Sequence, residues 1–212
     1  MSIPITDEPL QSRAASLPVM EHFYTLQGEG LYQGKAAYFI RLGGCDVGCV
    51  WCDVKESWDA SAHPHKTIIE MVAMVRATAA PIVVITGGEP LLHNLDELTT
   101  ALRAAGLRTH METSGSSPLS GQWDWITLSP KKFKQPLPEV VAHADELKVV
   151  VFHKSDFAWA EQWAALVKPD CRLYLQPEWD KAAQMTPPII DYVKAHPQWQ
   201  LSLQIHKYIN VP

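Results

Sequence analysis

The chain has 212 residues, with 18 Lys and Arg against 23 Asp and Glu, a formal net charge of −5 and 47% apolar residues. That is the length of one or at most two domains, with enough apolar material for a core, so wholesale disorder is excluded. The acid excess, with no basic run longer than two residues, excludes a nucleic-acid backbone binder, and no apolar run approaches the ~20 residues of a membrane span.

Residues 1–17 are polar and lack the basic start and apolar block of a secretory leader, so they read as a flexible arm ahead of a single domain over 18–212. "AAYFIRLG" (36–43) is rich in β-favouring residues and predicts a strand. "TIIEMVAMVRATA" (67–79) has helical apolar spacing, with Thr67 as N-cap and Glu70 completing a capping box. "PIVVIT" (81–86) is short and continuously apolar, as buried parallel strands are. A helix is expected over 95–106, ending at Gly106. Strands are expected over 107–113, 123–129, 146–151, 172–176 and 200–206, and helices over 156–167 and 187–196.

Alternating strands and helices imply a parallel sheet with crossover helices. The chain is short for a closed eight-fold barrel, which takes ~250 residues. The fold class expected is therefore α/β, a partial open βα barrel with about six parallel strands and three to four helices. Functional loops in such folds sit at the carboxyl ends of the strands. The cysteine loop, "GGEP", "ETSG", "SPKK" and "QPE" each follow a predicted strand, so one rim should carry them all.

The cysteine loop, "RLGGCDVGCVWCDVKESW", holds Cys45, Cys49 and Cys52 in a C-x3-C-x2-C pattern. Clustered thiols without a leader read as cytoplasmic metal or redox chemistry rather than disulfides. Thiolates select zinc, Cu(I) or iron–sulfur clusters. Three can hold three irons of a cubane, leaving one iron open to a small molecule. The alternative is a structural Cys3His zinc site completed by His63 or His65. Cys171 lies inside a predicted strand and reads as a core residue. "TGGEP" (Thr86–Pro90) can bring backbone close to a ligand, or be an ordinary turn with Pro90 opening a helix. "SPKK" offers Ser129 and Lys131, and "LQPE" offers Gln176 and Glu178, for ribose or carboxylate contacts, though Ser-Pro and Gln-Pro also mark plain turns. In "YTLQGEG" (24–30), Gln27 can donate and accept while Glu29 can accept from two adjacent N–H groups, which suits the amide-like edge of a pterin or guanine ring. A solvated turn is the alternative. Arg41, on the strand before the cysteines, needs an anion: a substrate carboxylate, or a neighbouring Glu.

C-x3-C-x2-C resembles the cluster signature of the radical S-adenosylmethionine (SAM) enzymes. "FYTLQGEG", "FIRLGGC", "ITGGEPLL", "ETSG", "SPK", "ELKVVV", "LQPE" and "LSLQIHKY" follow in this order from residue 23 to 208. Together they resemble the 7-carboxy-7-deazaguanine synthases of queuosine biosynthesis. The resemblance implies a lyase that converts 6-carboxy-5,6,7,8-tetrahydropterin to 7-carboxy-7-deazaguanine with loss of ammonia, using SAM catalytically to abstract hydrogen at C6. It implies a [4Fe–4S] cluster on Cys45, Cys49 and Cys52, with SAM on the open iron. Trp51 would lie near the adenine, with Cys52 and Asp53 beside it. Gly88 would contact SAM through backbone, and Glu89 through its side chain or as loop support. Ser129, Pro130, Lys131, Gln176, Pro177 and Glu178 would complete the SAM site. Leu26, Gln27, Gly28 and Glu29 would grip the pterin, Arg41 would meet a carboxylate, and Thr86 would touch substrate. His206 and Lys207 would end the last strand near the pocket. The terminal carboxylate of Pro212 would reach the pocket mouth, an expectation that a C-terminal tag leaving activity intact would refute. A homodimer and an electron donor of flavodoxin or ferredoxin type are also implied. One departure stands out: the family's Asp-Thr after the third cysteine, whose hydroxyl helps hold Mg2+, is Asp53-Val54 here. Val offers no oxygen ligand. Mg2+ would then be held by substrate and water, Ser57 would substitute, or the enzyme would do without it. Weakened Mg2+ dependence is expected.

Overall fold

The computed structural model describes residues 15–212. Positions 1–14 of the expected arm lie outside the described residues, and Ser16 and Leu17 already belong to a strand. In chain order the elements are β1 (Ser16–Leu26), β2 (Ala36–Leu42), β3 (His65–Thr67), α1 (Ile68–Arg76), β4 (Ile82–Gly87), α2 (Asp96–Ala104), β5 (Arg108–Thr113), β6 (Trp125–Leu128), α3 (Pro138–His143), β7 (Glu146–Val151), α4 (Asp156–Ala164), β8 (Arg172–Pro177), α5 (Ala182–Ala195), β9 (Trp199–Leu201) and α6 (Ile205–Ile209).

Among the described residues the strands form one sheet in the order β3-β1-β2-β4-β5-β6-β7-β8-β9. From β2 to β9 every pairing is parallel, whereas β1 pairs antiparallel with both β2 and β3. The sheet order does not return to its start, so the barrel is partial and open, as the sequence implied. The strand and helix numbers are higher than expected because β1, β3, α3 and α6 escape the sequence patterns. β1 reads "SLPVMEHFYTL", with a Pro and no sustained alternation, and its pairing partners supply the order its own sequence lacks. The strand expected over 200–206 is corrected: β9 stops at Leu201, and His206 and Lys207 stand on α6.

Side-chain alternation divides each strand between two environments. In β7, Leu147, Val149 and Val151 pack into the main core under the helices. Glu146 and Lys148 face the barrel interior, where Lys148 meets Glu29. In β2, Tyr38, Ile40 and Leu42 join the helix-side core, while Ala37 and Phe39 pack with Ile82 and Val84 of β4 in a smaller interior cluster. α1 starts with the anticipated capping box: Thr67 Oγ1 accepts from Glu70 N at 3.2 Å, and Glu70 Oε2 accepts from Thr67 N at 2.7 Å. α2 gives way at Gly106, whose φ of +78° lies in the left-handed region. Cys171 is buried in the core, where burial pushes its thiol up to about 12. No helix among the described residues is long and apolar enough to cross a membrane.

Candidate active site

A cavity of about 270 Å³ opens at the carboxyl ends of the parallel strands. The expected rim is there: residues from the cysteine loop, the ends of β4, β5 and β6, and the β8 loop all line it.

Cys45, Cys49 and Cys52 form one wall, reached directly from β2. Burial raises the thiols of Cys45 and Cys49, the latter to about 11. They are therefore neutral until a metal displaces their protons. Their loop lies hard against the glycine strand end. A Cβ on Gly88 would sit 2.4 Å from the Gly44 carbonyl and 2.5 Å from Cys45 Cβ, so only glycine permits this approach. Three thiols around open space fit a cluster with one ligand position left over. The zinc alternative fails on its fourth ligand. His63 Nε2 bonds the Glu56 carbonyl at 2.9 Å, His65 sits on β3 with Ser16 Oγ at 3.2 Å, and neither lines the cavity. Among the described residues no three His, Cys, Asp or Glu side chains converge on one ion position.

Trp51 lines the cavity beside this loop, edge-on to Phe133 and with Lys131 Nζ 5.7 Å from its ring centre. Lys131 donates to the Ser129 carbonyl at 2.8 Å and to Ser129 Oγ at 2.5 Å. Burial pushes its ammonium down to about 8. Gln176, Pro177 and Glu178 line the far side, and Gln176 Oε1 accepts from Ser202 Oγ at 2.8 Å. Glu89 and Pro130 do not reach the cavity surface. Glu89, 1% exposed, accepts from Leu91 N at 3.0 Å, Ser114 N at 2.8 Å and Thr113 Oγ1 at 2.5 Å. It thus ties the β4 loop to the β5 loop. Pro90 opens a single 3-10 turn.

The floor comes from the segment after β1. Gln27 Oε1 accepts from Glu29 N at 3.1 Å, and Gln27 Nε2 donates to Glu112 Oε1 at 3.0 Å. Glu29 is bonded to Lys148 and accepts from Gln204 Nε2 at 2.9 Å. Burial works to raise the Glu29 carboxyl, but the charge and hydrogen bond of Lys148 outweigh it and hold Glu29 well below its ordinary value. Lys148 Nζ also lies 4.0 Å from Glu112. Burial acts to lower this ammonium, yet the surrounding carboxylates leave it raised. Lys148 and Gln204 are site residues that sequence reasoning missed, and Glu112, the first residue of "ETSG", was given no role of its own. The signal for Glu112 and Lys148 was a charge inside an apolar strand, in "THMET" and "ELKVVV".

Leu26, Gly28, Thr86 and Pro212 also line the cavity. His206 packs so closely on Gly28 that a Cβ there would stand 1.9 Å from its Nδ1, and burial lowers its imidazole pKa. Arg41 lines the cavity with its Nε on Glu21 Oε1 at 2.6 Å, so a neighbouring Glu does hold it. Asp53 pairs with Lys207 at 3.1 Å, linking the cysteine loop to α6. Val54 faces the cavity, but Ser57 does not. The Ser57 hydroxyl is buried and donates to the Val54 carbonyl at 2.7 Å, off the cavity lining.

Comparison with known proteins agrees with this geometry. A model of the Radical SAM superfamily matches residues 39–147. The 7-carboxy-7-deazaguanine synthase of Flavobacterium psychrophilum is 53% identical over 196 residues, covering 92% of this chain and 93% of the relative. That of Synechocystis is 51% identical, covering 92% and 94%. A solved structure described as QueE from Escherichia coli superposes with a TM-score of 0.79 at 31% identity, covering 89% of this chain and 93% of that one. Identity at this level, over nearly the whole chain and on the same fold, places the chain in the 7-carboxy-7-deazaguanine synthase family of the radical SAM superfamily.

Proposed function

We propose that the chain is a lyase of queuosine biosynthesis that converts 6-carboxy-5,6,7,8-tetrahydropterin to 7-carboxy-7-deazaguanine with loss of ammonia. One observation carries this reading: the three cysteines and the Gln27–Glu29 segment line the same cavity. The relatives that bear the synthase name support the choice of reaction.

Cys45, Cys49 and Cys52 would hold a [4Fe–4S] cluster, leaving it one position that no cysteine fills, open to SAM. Cluster and SAM together supply the one-electron chemistry that removes hydrogen from C6 of the pterin. The protein's own residues bind and orient. The Gly88 backbone, Ser129, Lys131, Gln176, Pro177 and Glu178 would hold SAM, with Trp51 and Asp53 near the adenine. Glu29, kept ionised by Lys148, can accept from two neighbouring ring N–H groups. Gln27, Leu26, Gly28, Thr86 and His206 would complete the pterin site. Arg41 is held through Nε, so the terminal nitrogens of its fork can meet the substrate carboxylate. Lys207 on Asp53 steadies the cysteine loop. A homodimer and a flavodoxin- or ferredoxin-type electron donor belong to the same reading, as does a cytoplasmic setting, which keeps the thiols reduced. Mg2+ dependence would be weak because Val54 has no ligand oxygen.

The test is anaerobic reconstitution with iron and sulfide, followed by incubation with SAM, reductant and the carboxypterin. The ultraviolet absorbance of the deazapurine should develop. A brown, cluster-bearing protein that cleaves SAM but yields no deazapurine would refute the assignment.

A further inference from the structure

Beneath the floor lies a second, much smaller cavity of about 10 Å³, room for about one water. Gln27, Glu29 and Glu112 form its roof and are shared with the main cavity. Its other walls include Glu146, His110 and Trp125. Trp125 Nε1 and His110 Nε2 are buried without a protein hydrogen-bond partner, although both residues line this space. A buried N–H left unpaired costs ~1–3 kcal/mol, so a polar occupant is favoured. Trp125 can only donate. A water is the ligand that fits, accepting from the indole and donating to a wall oxygen.

The charge in this region does not balance. Glu29, Glu112 and Glu146 surround Lys148. Lys131, bonded to Ser129, and His206 act on Glu29 from the main cavity, and neither acts on Glu146 directly. His110 cannot help, because burial holds it down to about 4 and it is neutral at pH 7. Tyr174 and Cys171, the other titratable groups near Glu146, are raised by burial and also neutral. Three ionised carboxylates would still outnumber the cations in a buried space. Glu146 is the member best placed to stay neutral. It is 2% exposed, is not bonded to Lys148, and accepts only from Leu31 N at 2.9 Å. Burial pushes its carboxyl up to about 7. It also touches the turn above it, since a Cβ on Gly30 would fall 2.0 Å from its Oε1.

We propose that the small cavity is a buried-water site and that Glu146, on its wall, is a positioning residue that keeps its proton, limiting the charge beneath the floor while holding the Gly30–Leu31 turn. The benefit to substrate rests on the pterin reading above. A pterin that carries a carboxylate binds a floor of lower negative charge more tightly, and the turn carries the Gln27–Glu29 segment.

Two arms test this separately. The first needs no substrate. Difference infrared spectra of cluster-loaded protein with carboxyl-13C glutamate should show a protonated-acid carbonyl band at pH 6 that fades through about pH 7. Glu146→Gln should abolish that band. No band in the wild type at pH 6, or a band unchanged in the variant, overturns the proposal. The wild-type measurement stands even where the variant fails to fold. The second arm is the pH profile of KM for the carboxypterin. KM should rise several-fold from about pH 6 to about pH 7.5 in the wild type, below the range in which Lys131 titrates, and rise much less in Glu146→Gln, with kcat moving less. A parallel rise in both proteins would overturn the link to substrate while leaving the deazaguanine-forming activity intact.

Discussion

Lys148 is a charged residue in the middle of an apolar strand, and its partners explain why it is tolerated. Its side chain is 5% exposed and that of Glu29 is 12% exposed, so each neutralises a charge that water cannot reach. Lys148→Met should destabilise the protein by ~3–5 kcal/mol, because it strands Glu29 beside Glu112. Denaturant unfolding would measure the loss, and adding Glu29→Gln should recover part of it. Gly88 shows a different constraint. Ala there meets backbone at 2.4 Å, so the cysteine loop must shift. Gly88→Ala should fold but retain much less iron per chain after reconstitution. Val54 is a third case. Placing a hydroxyl there with Val54→Thr should increase the activity gained on adding Mg2+ to metal-stripped enzyme, and a wild type already strongly Mg2+-dependent would refute the weak-dependence reading.

Among the elements, those with their own periodicity and caps were legible from sequence, and those made by pairing were not. The capping box of α1 is written in Thr67 and Glu70. Thr67→Ala should cost ~1 kcal/mol, read as a lower denaturation midpoint. β4 and β7 announce themselves as apolar runs between turn residues. β1 does not, because its pattern is broken and its order comes from β2 and β3. The 202–206 stretch misled in the opposite way. "LSLQIH" alternates as a strand would, yet of these residues only Leu201 pairs with β8, and the chain then turns to place Ser202, Gln204 and His206 on the floor. The site divided along the same line. Motif residues after strands line the cavity, whereas Lys148 looked like strand filling and Glu112, though part of "ETSG", suggested no partner. Their roles depend on which face they occupy and on partners 85 to 119 residues away. Arg41 and Ser57 needed coordinates too, since only these show which neighbour takes each polar group.

At the scale of the molecule, the buried charges set a pH window. Glu29 is held below its unfolded value of 4.5, so its contribution is full above 4.5 and is lost as pH falls through the lowered folded value. Lys148 is held above its unfolded value of 10.5, so its contribution is full below 10.5 and is lost as pH rises through the raised one. Glu146 acts oppositely. Its raised carboxyl makes stability fall from pH 4.5 to about 7 and then level off. Thermal melts across pH should therefore show Glu146→Gln gaining on the wild type through that interval. The gap between wild type and Lys148→Met should be widest between the two flanks and close at either extreme.

The floor joins segments far apart in the chain. Gly30 N donates to Ser202 Oγ across 172 positions, Gln204 reaches Glu29 across 175, and Ile205 N donates to the Gly28 carbonyl at 3.0 Å. On the ribosome, the three cysteines emerge well before Ser202 and Gln204, which brace the floor. Between those two points of synthesis the thiols are exposed without a braced floor. Oxidation of the nascent chain competes with closure in that interval, and slow codons between positions 53 and 200 would lengthen it.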